Sequence, residues 1–252
     1  MKQEVEIIGH PFLFRFRPDN ENTLDEIENS YIFFPDRNLL NNPFDSSPDL
    51  INLISDKIDS TEYFNFYNKR LPLDIDKRFL KRNFTPKQLM ELTKENIPKY
   101  LDSFGIACFS MTPYINMTLW ANYANNHQGI CIQYRSDYDE GFFNNMRVVK
   151  YYEKLEKIDF NPLENEFKIQ DVFFIKDKSW DYEKELRIVK FKKGKKPIQN
   201  KAIRNIVCGY KAKDEFIEKL VKLVDRAQMD IGIYIMDKPK KQYGVSLTRR
   251  NK

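Results

Sequence analysis

The sequence has few of the residues from which several common sites are built. Its 252 residues include two histidines, three cysteines and eight glycines. No Cys/His cluster has the spacing of a zinc or redox motif. There is also no glycine-rich phosphate loop and no serine elbow. These absences argue against zinc hydrolysis, P-loop chemistry and a serine hydrolase, and no metal is expected.

Long hydrophobic runs are also missing. No uninterrupted apolar run reaches the roughly eighteen residues of a membrane span, and the N-terminus lacks the apolar core of a signal peptide. We therefore expect a soluble, cytoplasmic protein without a membrane partner. Cys108, Cys131 and Cys208 each lie in an apolar, strand-like run, which predicts buried, reduced thiols.

The overall composition is that of an ordinary globular protein. Hydrophobic residues make up 41% and aromatic residues 14% of the chain, which favours one compact domain over residues 1–252. The 42 basic and 37 acidic residues give a net charge of +5. This mild basicity permits contact with phosphate or nucleic acid without indicating it.

Hydrophobic periodicity predicts an α+β fold. Residues 11–17 alternate in character and predict a first strand. Thr23 and Glu26 have the spacing of a capping box, which predicts a helix beginning there. Successive strands without intervening helices follow residue 103. This order favours mixed or antiparallel sheets in a split-barrel-like core over a doubly wound sheet.

A helical insertion is predicted near residues 48–103, where the apolar spacing is helical. Ser47 and Pro48 suit a helix start. Within this segment Thr85, Pro86 and Gln88 repeat the signature of a capped helix N-terminus.

The segment "FIKDKSWDYEKELRIVKF", residues 174–191, contains the main candidate catalytic residues. If it is a strand, Glu183, Glu185 and Arg187 share one face. One interpretation is a solvated face, on which exposed ion pairs contribute at most about 1 kcal/mol. In the other, one carboxylate stabilises a cationic, sugar-like transition state while its neighbour orients or deprotonates an acceptor. Trp180 lies in the core or stacks on a ligand ring.

Two further pairs are candidates for ligand contact. Arg15 and Arg17 share a face of the first predicted strand, where arginines either reach solvent or clamp a phosphate. Ser110 and Thr112 are two residues apart at the end of a later predicted strand. Such hydroxyls either make turns or share a binding face.

An aromatic stripe and a basic run complete the candidates. Trp120, Tyr123 and His127 lie at helical offsets, which is typical of a core-facing stripe and also of a binding face. The basic residues from Lys190 to Lys196 form either a solvated turn or a patch that attracts nucleic acid. A non-catalytic nucleic-acid or protein-binding module is thus the alternative to an enzyme. A metal-dependent nuclease is a weaker alternative, because Lys184 would point away from both acids.

Two blocks give the sequence a family resemblance. They are Trp-x-x-Tyr-Ala-x-x-His-x-Gly at 120–129 and Trp-x-x-Glu-x-Glu-x-Arg at 180–187. With "LFRFRP", "YIFFPDRNLLNNPFD", "GIACFS", "VVKYYE" and "IRNIVCGY", they make the chain resemble the bacterial domain of unknown function family 2971 (DUF2971). The resemblance covers nearly all of the chain outside 48–103. It implies no particular activity.

A second resemblance is to the ADP-ribosyltransferase folds. These carry an arginine on a first strand, Ser-x-Ser or Ser-x-Thr on a later strand, and Glu-x-Glu or Gln-x-Glu near the end. The matching residues here are Arg15 or Arg17, Ser110 with Thr112, and Glu183 with Glu185.

The resemblance implies that NAD, as substrate, binds in a cleft between two small sheets. The arginine would hold its phosphates and Ser110 would brace the nicotinamide end. Glu185 would hydrogen-bond the ribose 2′-hydroxyl and stabilise the oxocarbenium ion, while Glu183 would activate an acceptor of undetermined identity. Trp120, Trp180 or His127 would line the cleft.

Overall fold

The structure is a computed structural model that describes residues 11–54, 62, 84–165, 167–237 and 244–250. The strands are β1 (Phe12–Arg17), β2 (Tyr31–Phe34), β3 (Ile51–Leu53), β4 (Phe104–Ser110), β5 (Ile130–Arg135), β6 (Arg147–Val148), β7 (Lys150–Tyr152), β8 (Ile158–Phe160), β9 (Ile175–Asp177), β10 (Glu185–Phe191), β11 (Gly194–Pro197), β12 (Ile203–Cys208), β13 (Gly232–Asp237) and β14 (Ser246–Arg249). The α-helices are Glu21–Glu28, Pro86–Asp102, Met117–Tyr123, Glu140–Phe143 and Asp214–Arg226. The 3₁₀ helices are Arg37–Leu39, Pro48–Leu50, Ser136–Tyr138, Lys168–Phe174, Lys178–Glu183 and Asn200–Ala202.

The main sheet has eight strands in the order β14-β13-β12-β5-β1-β4-β10-β6. Its pairs are antiparallel except β12 with β13, where the Asp214–Arg226 helix makes the crossover that a parallel pair requires. The α+β prediction is confirmed. Over the described residues the sheet stays open, with β14 and β6 at opposite edges, and does not close into a barrel.

The sheet is weakly joined between β1 and β4. These strands share a single register pair, Phe14 with Ser110, whereas β4 and β10 share seven, from Glu185–Ser110 to Phe191–Phe104. The amide of Ile106, four residues before Ser110 on β4, instead donates to the carbonyl of Pro35. Strands that lose their pairing leave room between them, so an opening forms in the middle of the sheet.

Both faces of the sheet are covered by apolar side chains. On one face, the Asp214–Arg226 helix packs Phe216, Ile217 and Leu220 against the inward residues of the strands. On the other face, Leu119 and Trp120 of the Met117–Tyr123 helix pack against β1. Burial of this apolar surface on both sides, at roughly 25 cal/mol per Å², holds the helices in place.

The predicted helix starts had mixed outcomes. The capping box of Thr85 and Gln88 is confirmed at the start of the Pro86–Asp102 helix. The prediction that Thr23 caps a helix is wrong, because the Asn20 side chain accepts from the Thr23 amide and the helix begins at Glu21. Ser47 caps a single 3₁₀ turn.

Much of the predicted helical insertion lies outside the described residues. Within them, the segment from 48 to 103 contributes the Pro48–Leu50 turn, β3 and the Pro86–Asp102 helix. The three cysteines are free thiols, with Cys131 and Cys208 buried and Cys108 partly so. No helix among the described residues is long and apolar enough to cross a membrane.

Candidate functional site

A cavity of about 310 Å³ lies where β1 and β4 separate. This volume is at the lower end of the range of about 300–1,000 Å³ for small-molecule sites. Much of the lining comes from β1 and the residue after it (14–18), from β4 (106 and 108–110) and from a loop (39–41). The charged residues lining it are Arg15, Arg17, Asp45, Lys176, Glu183, Glu185 and Arg187.

Arg187 is at the centre of a buried ion-pair network. It is 0% exposed and donates from Nε to Glu185 Oε1 at 2.8 Å and from Nη2 to Glu185 Oε2 at 2.9 Å. Its Nη1 and Nη2 atoms donate to the two Asp45 oxygens at 2.8 and 2.5 Å, and Nη1 also donates to the Phe173 carbonyl at 2.8 Å. A guanidinium has five N–H donors. All five are used by protein acceptors, so Arg187 acts here by holding Glu185 and Asp45.

Lys176 contacts both of these carboxylates and also Glu183. Its Nζ atom lies 2.5 Å from Glu183 Oε2, 3.1 Å from Glu185 Oε2 and 3.5 Å from Asp45 Oδ2. The three acids therefore converge on an ammonium group. Among the described residues there is no group of His, Cys, Asp and Glu arranged to hold a metal ion.

The charges of this network do not balance. Asp45, Glu183 and Glu185 face the two cations Lys176 and Arg187, so one negative charge is in excess when all are ionised. Burial alone raises the pKa of Glu185, but Arg187 and Lys176 outweigh it and hold that pKa at about 2. Burial and the nearby Glu185 charge raise the pKa of Glu183. The single Lys176 ammonium, shared among three carboxylates, does not offset this.

The chain changes direction between the two glutamates. Glu183 ends the Lys178–Glu183 3₁₀ helix, and Lys184 has the left-handed φ of 45° before β10 begins at Glu185. The predicted single strand through 183–187 is therefore wrong at 183 and 184. The solvated-face interpretation is also wrong, because Glu183, Glu185 and Arg187 are all buried.

Ser110 and Tyr123 hold Glu183 in position. The Ser110 hydroxyl donates to the Glu183 carbonyl at 2.6 Å and accepts from the Thr112 amide at 2.9 Å. The Tyr123 hydroxyl donates to Glu183 Oε1 at 2.5 Å. Burial and the Glu183 charge raise the pKa of Tyr123, so the phenol remains a proton donor to this carboxylate.

Arg15 and Arg17 form a second charged group. The register pair of Phe14 with Ser110 puts the two arginines on the opposite face of β1 from Glu185. Both lie within 3 Å of the buried Glu26, Arg15 Nη1 at 2.5 Å and Arg17 Nη2 at 2.9 Å. Two cations share one carboxylate, which leaves one positive charge in excess. Burial and the charge of Arg15 lower the pKa of Arg17, and its buried Nε has no hydrogen-bond partner among the described residues.

The opening between β1 and β4 brings these two groups into one cavity. Because β1 separates from β4 beyond Phe14, residues from both faces of β1 line the same space. Two clusters of charged side chains thus contribute to the cavity. The first, Arg15 and Arg17 with Glu26, is called the arginine group and has excess positive charge. The second, Asp45, Glu183 and Glu185 with Lys176 and Arg187, is called the carboxylate group and has excess negative charge.

Four other candidates do not line the cavity. Trp120 is fully buried, donates to the Tyr114 carbonyl at 2.6 Å and packs edge-on against Phe16. The ring of His127 lies 5.0 Å from that of Tyr210. The amide of Thr112 is held by Ser110. Trp180 is close to the site, with its ring 4.8 Å from Lys176 Nζ.

The basic run from Lys190 to Lys196 lies at the end of β10 and in β11. Lys193 pairs with Asp36 at 2.9 Å and Lys195 with Asp25 at 2.7 Å. Lys190 lies 4.1 Å from the Phe142 ring centroid. Side chains on neighbouring elements thus contact several lysines of this run, which reduces the positive charge that is available to a polyanion.

Sequence reasoning missed Asp45, Lys176 and Glu26. Glu26 has helical spacing that suggested a cap, Asp45 lies in the turn-rich 36–49 loop, and Lys176 precedes the glutamates by less than ten residues. Lys176 is buried between two partly exposed neighbours in β9, whereas the sequence Ile-Lys-Asp would by alternation place the lysine on the exposed face.

Comparison with known proteins gives a partial match. Residues 119–188 match the model of a family described as "Protein of unknown function (DUF2971)". The matched segment contains Tyr123, Lys176, Glu183 and Glu185, and thus most of the carboxylate group. No curated protein and no solved structure matched the chain.

Proposed function

We propose that the protein is an ADP-ribosyltransferase-like enzyme that cleaves the nicotinamide–ribose bond of NAD. One observation carries the proposal: residues from β1, Ser110 at the end of β4, Glu183 just before β10 and Glu185 at the start of β10 line one cavity. These segments are distant in sequence, and β1, β4 and β10 are neighbours in the sheet. A cavity of about 310 Å³ suits part of a dinucleotide, with the remainder extending through the opening.

The arginine group suits the phosphates of NAD. Arg15 and Arg17 carry one positive charge more than Glu26 neutralises. Arginine is suited to phosphate because its planar fork matches the phosphate oxygens in two parallel hydrogen bonds. The buried Arg17 Nε is a donor that such an anion would satisfy.

The carboxylate group suits the sugar. When the bond between ribose C1′ and the nicotinamide nitrogen breaks, nicotinamide leaves with the electron pair and positive charge develops on the ribose. The excess negative charge around Lys176 and Arg187 is fixed in a site shielded from water, where it stabilises developing positive charge more than it would in water.

The acceptor then attacks C1′ through an oxygen atom and loses its proton. A carboxylate of raised pKa is suited to take that proton at neutral pH, and Glu183 has this property. The products are nicotinamide and either ADP-ribose, if water is the acceptor, or an ADP-ribosylated molecule.

The test is release of labelled nicotinamide from NAD by the purified protein. The double variant E183Q/E185Q is expected to lower the rate at least 100-fold, since general acid–base catalysis alone contributes about 10²–10⁴. Asp181→Asn is the matched control, because Asp181 lies in the same segment and pairs with Lys184 outside the cavity. A wild-type protein that releases no nicotinamide would contradict the proposal.

A further inference from the structure

Glu183 and Glu185 differ in how many of their acceptor positions are already used. A carboxylate offers about four lone-pair positions on its two oxygens. Glu185 accepts one bond from Arg187 Nε on Oε1, and bonds from Arg187 Nη2 and Lys176 Nζ on Oε2. Three of its four acceptor positions are therefore taken by two buried cations.

Glu183 accepts one bond on each oxygen. Tyr123 donates to Oε1 and Lys176 to Oε2, both at 2.5 Å. One position on each oxygen remains, and Glu183 lines the cavity together with Tyr123. Glu183 is thus the carboxylate of the pair that has a position open on both oxygens for a hydrogen bond from a ligand.

The backbone fixes this difference. Glu185 is the first residue of β10 and is paired with Ser110 across the sheet, while Glu183 precedes the left-handed residue Lys184. The Ser110 hydroxyl holds the Glu183 carbonyl at 2.6 Å. The two side chains consequently have different partners besides Lys176: Arg187 for Glu185 and Tyr123 for Glu183.

We infer that Glu183 is the catalytic carboxylate and that Glu185 is a positioning residue that holds Arg187 and Lys176. The inference rests on the proposed function and reverses the roles that the ADP-ribosyltransferase resemblance implies. Glu183 accepts the hydrogen bond of a ribose hydroxyl and then takes the proton of the attacking O–H group. Lys176 and Tyr123 orient it, one on each oxygen.

The experiment compares E183Q with E185Q in nicotinamide release and in melting temperature. E183Q is expected to lose at least 100-fold in rate with a melting temperature within about 3 °C of wild type, because Arg187 keeps both of its carboxylates and Lys176 keeps Glu185 and Asp45. E185Q is expected to melt about 6–10 °C lower, because a buried cation loses one of its two carboxylates. Its loss of rate below the melting transition is expected to be the smaller of the two.

Tyr123→Phe provides a second readout that does not depend on E183Q folding. Removing a hydrogen bond to the ionised form raises the pKa of Glu183 further, so the acid limb of the rate–pH profile should move to higher pH. Asn122→Ala, at a neighbouring cavity residue that donates to Tyr182 rather than to Glu183, is the control and should not move that limb.

The outcomes separate the inference from the proposed function. An active wild type whose E183Q variant keeps more than a tenth of the rate overturns the catalytic role of Glu183. An E185Q variant as stable as wild type overturns the positioning role of Glu185, whereas an E185Q variant that fails to fold supports it. A wild-type protein that releases no nicotinamide overturns the proposed function and the catalytic role together, and the two melting temperatures still decide the positioning role.

Discussion

Replacing Asp45 by Asn tests whether the buried ion-pair network holds the loop to the sheet. Asp45 lies in the loop that follows β2, its side chain is 1% exposed, and both of its oxygens accept from Arg187, at 2.8 and 2.5 Å. Lys176 lies 3.5 Å from the same carboxylate. The substitution keeps the shape of the side chain while removing its charge and half of its acceptor capacity.

The expected loss of stability follows from the burial of Arg187. Removing one partner of a buried ion pair costs about 3–5 kcal/mol, because the remaining charge is left without compensation. Unfolding entropy of about 2.1 cal/mol/K per residue amounts to about 0.5 kcal/mol/K for 252 residues. The melting temperature of Asp45→Asn should therefore fall by about 6–10 °C.

Thermal unfolding followed by circular dichroism measures this shift, and urea unfolding provides an independent value. Asp171→Asn is the control, because the side chains of the Arg147–Asp171 pair are 39% and 37% exposed and such pairs contribute at most about 1 kcal/mol. The two variants should differ clearly in melting temperature. Equal, small shifts would show that Arg187 does not depend on Asp45, and that the buried network does not hold the loop to the sheet.

Two further predictions concern pH and the arginine group. The pKa of Glu185 is about 2 in the folded protein, below its ordinary value of 4.5. The contribution of Glu185 to stability is therefore complete above pH 4.5 and is lost as the pH falls toward 2. Urea midpoints measured across this pH range should fall in the wild type and fall less in E185Q. Replacing Arg17 by Gln should weaken NAD binding about 10–100-fold, the range expected for hydrogen bonds to charged groups, because Arg15 and Glu26 then balance each other. Calorimetric titration with NAD measures this, and unchanged affinity would mean that the phosphates bind elsewhere.

The local patterns of the sequence predicted the strands well, because alternation of side-chain character directly reports a buried face. The Phe12–Arg17 strand and the capped helix at Thr85 are examples. The helix at Glu21 was misplaced because two capping residues lie three positions apart, and Asn20 is a stronger N-cap than Thr23. Spacing alone does not decide between two residues that can both serve as the cap.

The candidate site could be predicted only in part. The residues Glu183 and Glu185 were identified, but their two-residue spacing suggested a strand, whereas Lys184 adopts a left-handed conformation that sequence patterns seldom reveal for lysine. Asp45 could not be found, because it meets Arg187 across 142 positions of sequence. No local period records a contact over such a separation.

The balance of charges in the network bears on why Glu183 is present at all. Well-packed hydrophobic residues in place of a buried ion pair are often neutral or stabilising, so stability alone does not require so many charged side chains here. Arg187 is satisfied by Asp45 and Glu185 without Glu183, and the ionised form of Glu183 is disfavoured by burial and by Glu185. A carboxylate that adds an uncompensated charge beside a cavity, and that is held there by Lys176, Tyr123 and Ser110, is costly to the fold. Perturbed groups of this kind cluster at functional sites, which supports the chemistry proposed for the cavity.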